Sequence, residues 1–586
     1  MNGHVIDVAL GKQPADVVIK NGKLVNVLTK EIYLADIAIA DGVIAATGEL
    51  APGCIGEKTK VIDAKGKYLA PGFIDAHIHF ESSMLSFTEF NRVVLTKGTT
   101  AVASDVMEVS IVSGYKAIKE VLKEAEGLPV KLLNPILGFT QEDETVQTVG
   151  ATMDSDVLDE LISMPSAIGF AETTPHTVLS KNPMFVRIKE LADKYKKTLE
   201  GHAPELRGPE LNAYASVGIR SDHECVAADE ELDKLRHGIR VLIREGSAAK
   251  DLKACIKVIT ENQVDPRYCS IVSDDIDMHY ILTNGHLDHK VRMVVQEGVD
   301  PVVALQMVTI NPAESLKVDD RYGSIAPGKC ADVVFLSDLE NCTVVDVVAN
   351  GELVVENGKV IYEFKPYDYP DFMRNTVHLP KKMTADDLVL RVDNAKSSAK
   401  VRVIGTHGHT LLSDALEAEL SVEDGVIKPD VTNDILHVAC IERYGKNGSI
   451  GRAFVKGFGF KRGAVATSVG HDHHNVTAIG ADANDMAMAI NRLGELGGGI
   501  VVVNEGKVLY ELALPICGLL CTQDGIESAK VLAAMQNYLA EIGCQMESPM
   551  LSLSFVTLTI PSYAITDQGL IDVAALKPVD PIISSN

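Results

Sequence analysis

The stretch Pro71-Gly-Phe-Ile-Asp-Ala-His77-Ile-His79 decides the fold interpretation, because a short apolar run ends there in two histidines. Side chains alternate along a strand, so His77 and His79 would point to the same side. Similar apolar runs recur downstream, and segments with helical spacing separate them. Eight runs can be counted: Tyr68–His79, Thr99–Asp105, Lys131–Phe139, Ala167–Glu172, Thr198–Ala203, Gly218–His223, Arg240–Glu245 and Cys269–Asp275.

This alternation predicts an α/β fold, a (β/α)8 TIM barrel. Parallel strands need crossover connections of helical length, and eight such strands close into a filled barrel. An open doubly wound sheet is the alternative fold for the same pattern.

Two β-rich segments flank the predicted barrel. Residues 16–66 form short alternating runs between Asn-Gly and Asp-Gly turns, and the same pattern returns in residues 323–359. We expect residues 1–67 and 318–370 to pair as one composite β-sandwich around a barrel of residues 68–317. Three prolines between 366 and 380 indicate a linker, so residues 371–586 should form a C-terminal α/β domain.

The composition excludes several classes of partner. The sequence has 55 Lys and Arg residues and 81 Asp and Glu residues, and the resulting formal charge of −26 repels nucleic acids and anionic membranes. The amino terminus lacks a leader pattern, and no run approaches 18 uncharged apolar residues. The ten cysteines contain no Cys-x-x-Cys pair. We therefore expect a cytoplasmic protein with reduced thiols that binds neither nucleic acid nor membrane.

Metal-capable side chains lie at the carboxyl ends of five predicted strands, where barrel active sites are built. A single histidine in such a place is usually a satisfied polar residue, but a whole set at one end predicts a metal site. The set is His77, His79, Glu172, His202, His223 and Asp274.

Six protein ligands exceed what one catalytic metal takes while keeping a position for water, so the set favours two divalent ions. Imidazoles and carboxylates suit Mn²⁺, Fe²⁺ or Zn²⁺. We assign His77, His79 and Asp274 to one ion, His202 and His223 to the other, and Glu172 to both. A hydroxide would bridge the ions, and Asp274 would move its proton to the leaving group. The expected catalytic residues are Asp274, Glu172 and His223.

The same motifs resemble a known family. Pro71–His79 and the later Gly323-Ser-Ile-Ala-Pro-Gly-Lys-Cys-Ala-Asp are similar to the amidohydrolase superfamily, which combines this barrel with a composite β-sandwich. Bacterial adenine deaminases have motifs similar to Gly169-Phe-Ala-Glu, Gly201-His-Ala-Pro-Glu-Leu and Ser468-Val-Gly-His-Asp-His-His-Asn. This resemblance extends over nearly the whole chain. The resemblance implies hydrolysis of adenine to hypoxanthine and ammonia, with manganese or iron, and places Glu172 in the bridging position.

One position departs from the family pattern. After the second strand the family carries Asp-Pro-His-Glu, whereas this chain has Asp105-Val-Met107-Glu108. Methionine neither donates a proton nor binds a hard divalent ion strongly. Two alternatives therefore stay open: an amidohydrolase acting on another aminopurine or a cyclic amide or amidine, and a catalytically silent binding protein. The position could also be a tolerant one behind the site.

Weaker candidates surround the predicted centre. Those for substrate binding are Glu81, Ser82, Glu108, Arg244, Glu245 and Ser247. Arg244 and Glu245 could instead brace their loop as a pair. The histidines at 471, 473 and 474 suggest either a second metal site or a capping or interface role. The expected partners are a small-molecule purine and further copies of the chain, in a dimer or larger homo-oligomer.

Overall fold

The computed structural model describes residues 3–138, 145–152, 155–393, 396–408, 413–559 and 562–586. Eight parallel strands, labelled β1 to β8 in chain order, form its centre. They are Phe73–Asp75, Thr99–Ala103, Lys131–Leu137, Ala167–Thr173, Thr198–Gly201, Ser221–Asp222, Arg240–Arg244 and Cys269–Val272. A short parallel pair, Ile78–His79 with Asp274–Asp275, joins the first strand to the last. The predicted TIM barrel is confirmed, and the open sheet is wrong.

Helices connect the barrel strands, as crossover connections require. Pro183–Tyr195 is typical: the Asn182 side chain accepts the Met184 N–H at its start, and Lys196 ends it in a left-handed conformation. The others are Phe87–Val94, Met107–Ser113, Tyr115–Ala125, Ser155–Ile162, Pro175–Leu179, Gly208–Ser216, Ala228–Arg236, Leu252–Cys255, Lys257–Thr260, Met278–Thr283, Leu287–Gln296, Pro301–Gln306 and Ile310–Ser315. Phe139, the predicted end of the third strand, lies outside the described residues.

The two flanks meet in one nine-stranded sheet. Its strands are Val17–Asn26, Glu31–Ala40, Val43–Gly48, Lys60–Asp63, Tyr68–Pro71, Val333–Leu336, Val344–Ala349, Glu352–Glu356 and Lys359–Val360. The antiparallel pairing of Tyr68–Pro71 with Val333–Leu336 joins the flanks. Apolar side chains from both flanks form one buried cluster, and helix Gly3–Ala9 packs on the sheet.

The predicted first barrel strand, Tyr68–His79, is wrong in its first part. Residues 68–71 belong to the flanking sheet, and the chain enters the barrel at Gly72. A β-carbon there would lie 2.0 Å from Thr100 Oγ1, so only glycine allows this close passage. The division of the chain into three regions stays a prediction, with the start of the barrel moved to Phe73.

The C-terminal region is built on a ten-stranded sheet. Its strands are Ser398–Thr406, Ser413–Glu423, Val426–Ile427, Ile435–Ile441, Ile450–Lys456, Ala464–Thr467, Val476–Gly480, Gly499–Asn504, Lys507–Ala513 and Ile582–Ser585. A hairpin turns at Asn504-Glu-Gly between Gly499–Asn504 and Lys507–Ala513. Three further strands, Tyr563–Thr566, Gly569–Asp572 and Lys577–Val579, form a small sheet. The helices are Asp371–Arg374, Ala483–Leu496, Gly525–Glu541 and Pro549–Ser554.

Short 3-10 turns complete the described structure. They span Pro52–Cys54, Phe80–Ser83, Leu95–Lys97, Pro266–Tyr268, Ala385–Asp387 and Phe555–Thr557. Among the described helices, none has the length and apolar character needed to cross a bilayer.

The C-terminal region packs against the loops that follow β1. The Ser86 N–H donates to the Cys521 carbonyl at 2.9 Å, and the Cys521 N–H donates to the Met84 carbonyl at 2.9 Å. The Gly525 N–H donates to Glu89 Oε2 at 3.0 Å. One apolar cluster runs through both regions without a break, so the barrel and the C-terminal region share a core.

A buried ion cluster supports the carboxyl end of β6. Lys234 is fully buried, and its ammonium donates to Asp222 Oδ2 at 2.6 Å and Glu230 Oε1 at 2.9 Å. It also donates to the Ala203 carbonyl at 2.6 Å. Asp222 Oδ1 accepts the Ala203 N–H at 2.7 Å. The lysine therefore ties the loop after β5 to the residue preceding His223.

We expect Lys234→Met to destabilise the fold by about 3–5 kcal/mol, because two carboxylates lose their buried counterion. Urea unfolding followed by circular dichroism would measure the change in the free energy of unfolding. Lys116→Met, at an exposed position, is the matched control and should stay within about 0.5 kcal/mol of the wild type. Equal stability of the two variants would contradict the prediction.

Candidate active site

The six predicted metal ligands converge at the carboxyl end of the barrel. His77 and His79 follow β1, Glu172 lies near the end of β4, and Asp274 lies just past β8. His202 and His223 each immediately follow a strand, β5 and β6. Five of the six residues are buried, and the His202 side chain is 22% exposed. The pleat and the shared strand direction therefore bring together side chains from five strands.

One half of the cluster is formed by His77, His79 and Asp274. The Nε2 atoms of both histidines lie 3.5 Å from Asp274 Oδ1. The pairing of the short strands that close the barrel fixes this arrangement, since Asp274 stands opposite Ile78 between the two histidines. The three ligand atoms lie within 4.8 Å of one another, which suits a shared ion.

Glu172 stands between the two halves. Its Oε1 lies 3.4 Å from His77 Nε2 and 3.7 Å from His223 Nε2, and its Oε2 lies 2.8 Å from His202 Nδ1. The rings of His77 and His223 stack with their centroids 3.7 Å apart. A carboxylate in this place contacts imidazoles of both halves, as a bridging ligand must.

The donor set fits divalent cations. His77 Nε2 and His202 Nδ1 are buried, lack a hydrogen bond within the described chain, and face carboxylate oxygens. Burial favours a neutral Glu172, but His223 and His202 outweigh it and lower the pKa of this carboxyl. Burial likewise opposes ionisation of Asp274, yet His77 and Arg244 hold its pKa well below the usual range. The centre thus offers two anionic carboxylates among imidazoles.

Polar groups behind the cluster orient its members. His79 Nδ1 lies 3.3 Å from Asp105 Oδ1, an imidazole–carboxylate contact of the kind that fixes metal-binding histidines. Arg244 donates to Asp274 Oδ2 at 3.0 Å and to Glu224 Oε1 at 2.8 Å. Because Arg244 binds one oxygen of Asp274, the other oxygen faces His77 and His79.

Both central carboxylates have strained backbones. Glu172 has φ +53° and Asp274 has φ +56°, in the left-handed region that residues other than glycine rarely adopt. Such strain persists only where surrounding structure imposes it, and it concentrates at functional sites. The strain at both positions therefore agrees with their place in the cluster.

Glu224 was missed by the sequence analysis. Its Oε1 lies 3.2 Å from His223 Nε2 and 3.7 Å from His202 Nδ1, and these atoms form a further ligand group. Glu224 directly follows His223, beyond the end of β6, where side chains no longer alternate between two faces. A carboxylate next to a candidate ligand was the signal that could have identified it.

The weaker candidates divide into two groups. Glu81 and Ser82 lie close to the cluster, since Ser82 donates to Asp275, which pairs with His79 across the barrel closure. Glu81 is buried, neither of its oxygens has a hydrogen-bond partner in the described chain, and burial with the nearby Glu108 raises its pKa to about 8. A neutral carboxyl group is therefore available beside the metal ligands.

The second group of candidates, Arg244, Glu245 and Ser247, lies at the end of β7 and in the loop that follows it. Arg244 and Glu245 both brace the loop, but through separate partners and not as a pair. Neighbours in a strand point to opposite faces, so Arg244 binds Asp251, Glu224 and Asp274, whereas Glu245 accepts the Leu252 N–H at 3.3 Å. Ser247 accepts the Asp277 N–H at 2.9 Å. These groups hold the loop, and substrate binding by them stays a prediction.

Two of the C-terminal histidines reach the barrel. His471 Nδ1 lies 3.0 Å from Glu108 Oε1, and His474 Nε2 contacts Glu108 Oε2. The Gly470 N–H donates to His474 Nδ1 at 3.2 Å, so the ring proton is on Nε2 and points at Glu108. In this arrangement His474 is a hydrogen-bond donor to Glu108, and the ligand atoms of Glu108, His471 and His474 lie within 4.8 Å of one another. His473 lies behind, with its Nδ1 accepting the Asn475 N–H.

Met107 is buried among apolar side chains. Its side chain belongs to a small apolar cluster with Ile111, Leu137 and Val149. Its N–H donates to Asp105 Oδ1 at 3.1 Å, so the backbone at this position still supports the carboxylate beside His79. The methionine therefore substitutes for the family histidine at an apolar contact.

Two family models match the chain. Residues 68–354 match the amidohydrolase family, and residues 410–577 match the adenine deaminase C-terminal domain. Adenine deaminase 1 of Carboxydothermus hydrogenoformans is 39% identical over 594 residues, covering 99% of this chain and 98% of that protein. The adenine deaminase of Moorella thermoacetica is 39% identical, covering 98% and 97%.

The chain belongs to the adenine deaminase family. Its amidohydrolase match contains all six candidate ligands, and its adenine deaminase match contains the histidines that contact Glu108. Membership of the amidohydrolase family implies a divalent metal. Among solved structures, an adenosine deaminase from Xanthomonas campestris with bound zinc aligns over 60% of this chain, with 16% identity and a TM-score of 0.45.

Proposed function

We propose that this adenine deaminase family member hydrolyses adenine to hypoxanthine and ammonia, with two divalent ions at the barrel centre. The observation that carries the proposal is the convergence of six metal-capable side chains on one buried cluster. The family membership supports the substrate. Retention of the whole ligand set argues against a catalytically silent barrel.

The ligand assignment follows the two halves of the cluster. His77, His79 and Asp274 would hold one ion, His202 and His223 the other, and Glu172 both. When bound, the ions would lower the pKa of water, so that hydroxide is available near neutral pH. Manganese or iron is the proposed metal, and zinc also suits the donors.

Asp274 is the proposed proton carrier of the reaction. Arg244 binds its Oδ2 and stabilises the anion, so the carboxylate can accept the proton of the attacking water and return it to the leaving amine. The released ammonia then carries that proton, and the oxygen of water stays on the purine ring. Both Glu81 oxygens lack a partner in the described chain, so this carboxyl can hydrogen-bond along a purine edge.

Location and assembly are part of the proposal. All ten cysteines are free and nine are buried, which suits a reducing compartment such as the cytoplasm.

The exposed apolar side chains of Leu28, Ile32, Tyr33 and Leu34 lie close together near one hairpin of the flanking sheet. This surface supports a homo-oligomer, whose mass light scattering would measure.

Ammonia release from adenine is the decisive assay. The protein would be purified with a chelator, reloaded with Mn²⁺ or Fe²⁺, and compared with the metal-free form on adenine, other aminopurines and cyclic amidines. Turnover of adenine that requires metal would support the proposal. Full loading with two metals per chain and no turnover of adenine would overturn it.

We expect Met107→His to leave adenine turnover within about threefold of the wild type, because the side chain packs in an apolar cluster. Burying an imidazole there should lower the melting temperature, since its polar atoms lack partners. The assay is kcat/KM for adenine together with thermal unfolding. A gain of tenfold or more in turnover would contradict this placement of Met107. Met107→Leu, which keeps the volume and apolarity, is the control.

We expect His474→Ala to lower kcat/KM by about a hundredfold while the metal content stays at the wild-type value. The change removes a donor to the buried Glu108 and leaves its carboxylate less well held beside Glu81. His407→Ala, at an exposed site in the same region, is the control and should change activity little. A loss of bound metal in His474→Ala would refute the hydrogen-bonding assignment.

A further inference from the structure

A basic cavity lies at the amino-terminal ends of β5 to β8, on the barrel face opposite the candidate active site. Its volume is about 330 Å³, within the range of small-molecule sites. Five of its lining residues are cationic and one is acidic, in a chain whose formal charge is −26. The cations are Lys189, Lys197, Arg220, Arg240 and Lys317, and the acid is Asp193.

Two of these cations already have partners. Lys189 Nζ donates to Asp193 Oδ1 at 2.7 Å, which neutralises the acid of the lining. Arg240 donates to the Arg267 carbonyl at 3.1 Å and lies over the Tyr268 ring, 4.4 Å from its centroid. Glu314, outside the lining, pairs with Arg267 and lies 3.7 Å from Arg240.

The other three cations keep unused donors. Within the described chain, the Lys317 ammonium has no hydrogen-bond or ion-pair partner. Arg220 donates through Nε and NH2 to the carbonyls of Ser315 and Glu314, and its NH1 makes no hydrogen bond within the described chain. Lys197 donates to the Ala167 carbonyl and has two further ammonium hydrogens. Backbone carbonyls hold Lys197 and Arg220 in place without neutralising their charge.

The cations also repel one another. Burial lowers the pKa of Lys317 and of Arg240, and the nearby Arg220 lowers both further. A bound anion would relieve this repulsion. A phosphate dianion suits this lining, because it offers several charged oxygens to charged donors.

We propose that this cavity binds the phosphate group of a small phosphorylated molecule, with Lys197, Arg220 and Lys317 as its donors. The ring of Tyr268, which is 46% exposed, adds an aromatic surface next to these donors. Such a surface suits a phosphate that carries an aromatic base. The site is separate from the metal ligands, so its occupancy does not depend on the proposed deaminase reaction.

Calorimetric titration of the metal-loaded full chain with inorganic phosphate, AMP and adenosine would test the site. We expect saturable binding of phosphate and AMP. Lys317→Glu should raise both dissociation constants at least about tenfold, because it replaces a donor with a repelling charge. Lys116→Glu reverses the charge at an exposed lysine outside the cavity and should change them less than about twofold.

The outcomes separate the sources of the phosphate. Tighter binding of AMP than of inorganic phosphate, lost in Lys317→Glu, would assign the cavity to a nucleotide, and equal affinities would assign it to the phosphate group alone. The heat signal measured with adenosine should be the same for Lys317→Glu as for the wild type. Absence of saturable phosphate and AMP binding, or equal affinities in the two Glu variants, would overturn the proposal. Lys197→Met repeats the test if Lys317→Glu lowers the melting temperature.

Discussion

Glu172→Ala is expected to reduce adenine turnover at least about a thousandfold and to lower the metal content of the purified protein. Glu172 is the carboxylate among the six candidate ligands that contacts imidazoles of both halves of the cluster, through His77, His202 and His223. Its removal takes a negative charge from the centre and leaves those rings without their shared carboxylate. Metal analysis by mass spectrometry, with ammonia release, measures both effects.

Two controls define what the loss means. Glu172→Gln keeps the side-chain volume and removes the charge, so it should lose metal nearly as completely as Glu172→Ala. Glu210→Ala changes an exposed glutamate on the helix after β5 and should behave as the wild type. Full metal content with full turnover in Glu172→Ala would show that Glu172 does not hold the metals.

Asp274→Asn is expected to lower kcat by about a thousandfold, within the range of general acid–base catalysis. Asparagine keeps the shape of the side chain and can still accept from Arg244, but it cannot take up the proton that the reaction requires. The change also removes one anionic ligand, so metal content must be measured in the same samples. Turnover that stays low after full reloading with metal assigns the loss to the missing proton acceptor.

Asp251→Asn is the matched control for the charge environment. Asp251 binds the same guanidinium, with Oδ2 2.9 Å from Arg244 NH2, but it has no contact with the metal ligands in the described chain. Its replacement should change kcat less than about tenfold. An equal loss of kcat in Asp251→Asn and Asp274→Asn would show that the loss comes from a change at Arg244, and would refute the proton-carrier role of Asp274.

The barrel and its ligand cluster were predictable because they depend on local periodicity. Alternation along a strand decides which side of the sheet His77 and His79 face, and the carboxyl ends of parallel strands meet at one edge. The predicted first strand was wrong at Tyr68–Pro71 because an apolar run does not indicate which of two sheets it joins. Residues 68–71 join the flanking sheet because they pair with the antiparallel strand Val333–Leu336, which lies more than 260 residues away in the chain.

Side-chain partners near the site were harder to predict. By sequence, Arg244 could either bind substrate or pair with its neighbour Glu245, but strand alternation separates the two and turns Arg244 toward Glu224 and Asp274. Met107 suggested a change of substrate, yet it packs among apolar side chains. In both cases residue type was known in advance, and the direction of the side chain was not.

The order of the amino acids was sufficient for the TIM barrel, the paired flanks and six candidate ligands, since strand and helix periods are local properties of the chain. Packing alone decided that His471 and His474 contact Glu108 and that Glu224 joins the histidines. Glu108 and His474 are 366 positions apart. No local pattern encodes such a contact, because it arises only when the C-terminal region packs against the barrel.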